Sequence, residues 1–134
     1  ILDRYDAKAT FFVTGNGKEY NGYINEAHER GHTIGLHSYC HEYNIIYSSM
    51  DAYFRDLTKL ENMVEKIIGY KPRFIRFPGG SSNKVSIKYH KGIMTLLTQK
   101  VIEKGKNSEY TGFGNQIKKE RLSLLWKTMK RSTT

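Results

Sequence analysis

The chain has 134 residues, enough for one domain with a real core and too few for two. Hydrophobic residues make up 38%, with six Phe, ten Tyr and one Trp, which excludes a disordered chain, and the lack of any run of eighteen apolar residues excludes a membrane-spanning helix. The net charge of +9 is lopsided: residues 1–100 carry 14 Lys and Arg against 10 Asp and Glu, whereas residues 101–134 carry 8 against 3. A nucleic-acid domain with a basic face running through it is therefore not expected, and a basic tail drawn to anionic surfaces fits better.

Ile1, in place of a Met start, reads as a chain that begins inside something longer or after a cleavage, and no signal peptide can be read. Residues 1–5 look like the last turn of a helix. Ala9-Thr10-Phe11-Phe12-Val13 is a β-branched and aromatic run of the kind expected for a strand buried on both faces. Thr14 to Gly17 is turn chemistry, and Tyr20, Tyr23, Ile24 and Ala27 follow at helical spacing, with Gly31 as the stop. A short apolar strand, Thr33 to Leu36, runs into a loop carrying His37 and His41.

The clearest helix starts at Ser48 or Ser49, where Ser48-x-x-Asp51 resembles a capping box. Tyr53, Leu57, Leu60, Val64 and Ile67 make its core-facing stripe, and Gly69 with Pro72 closes it. Arg73 to Phe77 is a third strand, ended by Pro78-Gly79-Gly80. A last helix carries Ile93, Leu97 and Val101, with His90 placed in it facing solvent and Gly105 after it. Strand and helix alternate over short links, the pattern of a parallel sheet covered by helices, until the alternation fails past Gly105.

Two histidines four residues apart share one face if the chain turns helically, and so suit two ligands of a tetrahedral zinc. Taken alone the spacing is weak, because two histidines four apart arise often by chance and then read as surface or partly buried imidazoles. Their placement at the carboxyl end of a strand favours chemistry, because α/β enzymes gather their catalytic groups there. Cys40, between them, reads as a small buried side chain; as the single cysteine it excludes an internal disulfide.

Three blocks together, Ala9-Thr10-Phe11-Phe12-Val13-Thr14-Gly15, Gly31-His32-Thr33-Ile34-Gly35-Leu36-His37-Ser38-x-x-His41 and Arg76-Phe77-Pro78-Gly79-Gly80, resemble the polysaccharide deacetylases, the NodB-homology domains of carbohydrate esterase family 4. The resemblance covers about residues 1–105 and implies an α/β fold, part of a distorted (β/α) barrel. It implies a hydrolase that removes N-acetyl groups from peptidoglycan, chitin or a related polymer, outside the cytoplasm or at the cell surface. His37 and His41 would be two of three ligands to a divalent metal, zinc, which would polarise the acetamide carbonyl and activate water. Ser38 would brace the loop that presents His41. Arg76 would hold a catalytic-base aspartate, a job suited to an always-charged, bidentate guanidinium. Gly79 would supply a backbone N–H to the oxyanion, without the aromatic wall that family members often carry there. Tyr43 is a further candidate for the sugar cleft.

The departures are as informative. The family's Asp-Asp strand, source of the base and the third metal ligand, would lie before Ile1, and neither the later Asp and Trp strand nor the Leu-x-His that protonates the leaving amine can be read after residue 105. Two imidazoles without that carboxylate are expected to hold metal poorly and the chain to be inactive and only marginally stable alone. Residues 106–134 form a basic tail unlike the family, where Leu122, Leu125, Trp126 and Met129 read either as a basic amphipathic helix or as out-of-frame sequence at a gene end, the second being favoured. The competing function is a non-catalytic carbohydrate- or wall-binding remnant that uses Tyr39, Tyr43, Tyr47 and the tail charge. A nucleic-acid partner is not expected.

Overall fold

A computed structural model describes residues 1–15, 17–106 and 111–112. Four parallel strands lie in the order β1-β2-β3-β4: β1 is Thr10–Thr14, β2 Thr33–Ser38, β3 Phe74–Ile75 and β4 Thr111–Gly112. The helices are α1, Asn21–Glu29; α2, Tyr43–Ile46; α3, Met50–Ile68; and α4, Ile93–Lys106. Short 3₁₀ turns at Asp3–Tyr5, Lys18–Tyr20 and Val85–Lys88 complete the order. This is the expected α/β arrangement of parallel strands and covering helices, present as a partial sheet.

The core lies between β2 and β3 and the helices. Ile34 and Leu36 of β2, Ile75 of β3, Tyr53, Leu57, Leu60 and Val64 of α3, and Ile93, Leu97 and Val101 of α4 are all buried. Gly35 lets β2 sit this tightly between its neighbours: a Cβ there would come within 2.7 Å of the Phe12 ring and 3.3 Å of the Phe74 carbonyl oxygen.

Several expectations are corrected. β1 is not buried on both faces; it forms one end of the described sheet, and Phe11 is 40% exposed. Tyr20 and Tyr23 are exposed and stack on each other at 6.4 Å, leaving Ile24 and Ala27 to face the core. The stripe of α3 ends on Ile68 rather than Ile67. The helix repeats every 3.6 residues, so over four turns its buried face drifts away from a strict seven-residue pattern. That face also buries the carboxylate of Glu61, which is paired at 3.0 Å with Lys71. Chain alternation continues past Gly105, since α4 reaches Lys106 and β4 pairs with β3. His90 lies outside α4, exposed in the turn before it, with Nδ1 3.1 Å from the Lys91 carbonyl oxygen. The expected tail from Leu122 to Met129 lies outside the described residues.

α3 is capped by Ser49, not Ser48. The Ser49 hydroxyl accepts from the Ala52 N–H at 3.0 Å, while the exposed Ser48 hydroxyl donates to the Ile45 carbonyl. Ser49→Ala is therefore expected to cost about 1 kcal/mol in chemical denaturation, and Ser48→Ala less than half of that. Equal losses from the two variants would contradict the assignment of the cap.

Candidate functional site

The site is built at the carboxyl ends of β2 and β3. β1 and β2 pair in register from Thr10 opposite Thr33 to Val13 opposite Leu36, and then Thr14 faces Ser38. The register skips His37. A bulge of this kind re-aims the extra side chain, and here that side chain is the imidazole. On the other side of β2, the Arg76 N–H donates to the Leu36 carbonyl at 3.0 Å, which carries the β2–β3 pairing one step beyond the strand. The Arg76 carbonyl oxygen thereby lies 2.7 Å from His37 Nδ1. Only a protonated Nδ1 can make that bond, so the His37 Nε2 lone pair is left free, the tautomer a metal ligand needs.

The chain then turns sharply. His41 has φ +57°, a left-handed conformation costing a non-glycine residue about 1–3 kcal/mol, so the two histidines meet through a strained reverse turn and not along a helix. Their Nε2 atoms are 3.2 Å apart. Two nitrogens each about 2.05 Å from one zinc at the tetrahedral angle lie about 3.3 Å apart, so the pair fits a single cation. Without one, His41 in its Nε2–H tautomer donates to the His37 Nε2 lone pair. Among the described residues no third His, Cys, Asp or Glu joins them.

A carboxylate not singled out in the sequence holds the turn. Asp56 of α3 accepts from the Ser38 hydroxyl at 2.8 Å, the Tyr39 N–H at 2.7 Å and the Cys40 N–H at 3.0 Å. Ser38, itself buried, accepts from the His41 N–H at 3.0 Å. Cys40 is half-buried, and burial pushes its thiol pKa up, so it stays a thiol.

Tyr43 packs edge-on to His41, with ring centroids 5.7 Å apart. Its hydroxyl also lies 3.3 Å from where a Cβ on Gly79 would sit, so Tyr43 and Gly79 adjoin, as a shared cleft requires. Gly79 has φ +76°, and its N–H donates to no described residue. Tyr47 is wholly buried and donates to the Pro78 carbonyl at 2.6 Å, which removes it from the proposed sugar-binding aromatics. Burial drives its phenol pKa far up. The Arg76 side chain is exposed, and no described carboxylate pairs with it.

Burial lowers the His37 pKa below 6.5, aided by the charges of His41 and Arg76 and opposed by the bond to the Arg76 carbonyl. The unfolded chain therefore binds a proton near pH 6.5 that the fold refuses. In metal-free protein this contribution is complete above pH 6.5 and is lost as the pH falls below it. His37→Gln should flatten the stability profile in that window, as measured by urea unfolding. Tyr47→Phe leaves the Pro78 carbonyl buried without its donor and should cost about 1–3 kcal/mol in the same assay.

Comparison with known proteins supplies the family. The family model described as polysaccharide deacetylase matches residues 1–93. A peptidoglycan-N-acetylglucosamine deacetylase of Bacillus cereus is 33% identical over 89 residues, covering 66% of this chain and 32% of the relative. The solved catalytic domain of peptidoglycan N-acetylglucosamine deacetylase from Eubacterium rectale superposes with a TM-score of 0.77 at 43% identity, covering 83% of this chain and 49% of that one. The structure of BA3943, described as a carbohydrate esterase family 4 pseudoenzyme from Bacillus anthracis, superposes with a TM-score of 0.54 at 30% identity, over 69% of this chain and 33% of that one. The chain thus spans about a third of the curated relative and half of the solved catalytic domain.

Proposed function

This chain belongs to the polysaccharide deacetylase family, and from that premise we propose that it carries the histidine half of a metal-dependent N-deacetylase acting on peptidoglycan N-acetylglucosamine or a related N-acetylated polymer, at the cell surface or beyond it. The observation that carries this reading is the 3.2 Å approach of the His37 and His41 Nε2 atoms. A zinc ion held there would supply Lewis acidity toward the acetamide carbonyl. His37, its Nδ1 proton committed to the Arg76 carbonyl, offers a lone pair without releasing a proton. The Gly79 N–H is an available donor for the oxygen on which negative charge builds, beside the Tyr43 hydroxyl. The Arg76 guanidinium adds fixed positive charge to the same end of the sheet and is free to clamp a carboxylate from outside the described residues.

Two imidazoles give neither the ligand count nor the charge neutralisation of a closed zinc site, so the chain is expected to bind zinc weakly and to release little acetate alone. Calorimetric titration of the 134-residue chain with Zn²⁺ should give one weak site, lost in His37→Ala and in His41→Ala. Zinc uptake unchanged in both variants would sink the metal reading, and robust acetate release from N-acetylglucosamine oligomers would sink the inactivity.

A second reading, a non-catalytic wall-binding remnant, draws support from the pseudoenzyme among the structural neighbours and from the two-ligand site. It predicts retention on insoluble peptidoglycan that falls when residues 106–134 are deleted. Retention independent of the tail would remove its main support.

A further inference from the structure

The two histidines come from segments held in different ways. His37 sits in a strand paired on both sides, whereas His41 sits in a turn whose backbone favours a different conformation. Something must keep residue 41 left-handed. The Ser38–His41 turn is tied at several points: the Tyr39 carbonyl accepts from the Gly15 N–H, Lys59 Nζ lies 4.1 Å over the Tyr39 ring, and His41 Nε2 meets His37 Nε2, while the Ser38 hydroxyl and the N–H groups of residues 39 and 40 converge on one carboxylate. Asp56 takes three donors directly, and a fourth, the His41 N–H, reaches it through the Ser38 hydroxyl. Bonds to an ionised acceptor are the strong ones, and four that share one anchor act as a unit. The mount is rigid too, since Asp56 lies on α3 between the buried Tyr53 and Leu57.

We propose that Asp56 is a positioning residue for the histidine pair: it locks the Ser38–His41 turn so that His41 Nε2 meets His37 Nε2 at metal-binding separation. The inference rests on the metal reading given under Proposed function, and it adds a residue 15 positions downstream of His41 that touches neither imidazole. Acting through the loop, Asp56 sets the affinity of the site and not its ligand count. Removing groups that orient metal ligands commonly costs 10–100-fold in metal affinity.

The test uses the full chain, with Zn²⁺ titration and amide hydrogen exchange on the same samples. Asp56→Ala should weaken Zn²⁺ binding 10–100-fold and speed metal-free exchange at the Tyr39, Cys40 and His41 amides. Asp56→Asn, which keeps an acceptor oxygen, should lie between it and the parent and serves if the alanine variant does not fold. Ser49→Ala supplies the stability control. It weakens the same helix at its cap, so its melting temperature should fall while its Zn²⁺ affinity stays within about twofold. Folded Asp56 variants with parental affinity and parental exchange would overturn the proposal, as would an equal affinity loss in Ser49→Ala. Should the parent chain bind no Zn²⁺, the metal reading fails by itself, and the exchange rates still decide whether Asp56 holds the turn: faster exchange supports it, and unchanged exchange overturns it.

Discussion

Two imidazole nitrogens face each other at 3.2 Å, a separation that one hydrogen or one cation between them must fill. Lone pairs at that distance repel, and a proton or a cation between them relieves the repulsion. The structure around them aims them at each other. On the His37 side the aim comes from the sheet: the skipped register turns the side chain out of the ladder, and the next strand's Arg76 carbonyl fixes its tautomer. On the His41 side it comes from a loop held in an unfavoured conformation by charge-assisted bonds. Backbone strain of about 1–3 kcal/mol is sustainable because each such bond contributes about 1.5–3 kcal/mol.

The fold around this pair was largely legible in the sequence. Alternating strand and helix signals are local, and β1, β2 and α3 follow from runs and stripes lying within a dozen or so residues. What could not be read depends on partners distant in the chain. The exposure of β1 follows from its place at the end of the sheet, which no property of Phe11 or Phe12 announces. The cap falls at Ser49 in place of Ser48 because the Ser48 hydroxyl turns back to the Ile45 carbonyl, although either serine satisfies the composition rule. β3 shortens to two residues because only Phe74 and Ile75 find ladder partners on β2 and β4.

The site shows the same division. The histidine spacing was visible, but its helical rationale was not the one the molecule uses. A strand bulge followed by a left-handed turn makes the same juxtaposition, and neither has a sequence signature here, since the left-handed residue is a histidine and not a glycine. Asp56 was hidden for a different reason. An aspartate beside the core stripe of an amphipathic helix resembles any solvated flank residue until the loop it faces is known. Arg76 was marked for its side chain, yet its peptide group also matters, because a carbonyl at that register is what His37 meets.

The glycine at position 79 sits where the histidine loop and the Pro-Gly loop meet. From sequence it reads as a loss, a donor retained with no wall to line the cleft. In the fold, a side chain at that position would emerge from a backbone at φ +76° and meet the Asn83 Cβ at 3.1 Å and the Tyr43 hydroxyl at 3.3 Å. The space an aromatic at 79 would enter is thus bordered by an aromatic from α2, whose ring also flanks His41. Tyr43 in turn packs beside Tyr47, whose hydroxyl holds the Pro78 carbonyl and so fixes the approach to residue 79. Apolar contact and one buried hydrogen bond therefore link the histidine loop to the Pro-Gly loop, two segments nearly forty residues apart. That coupling holds the Tyr43 hydroxyl beside residue 79 and the Tyr43 ring against His41, so the Pro-Gly loop cannot shift without disturbing the histidine loop.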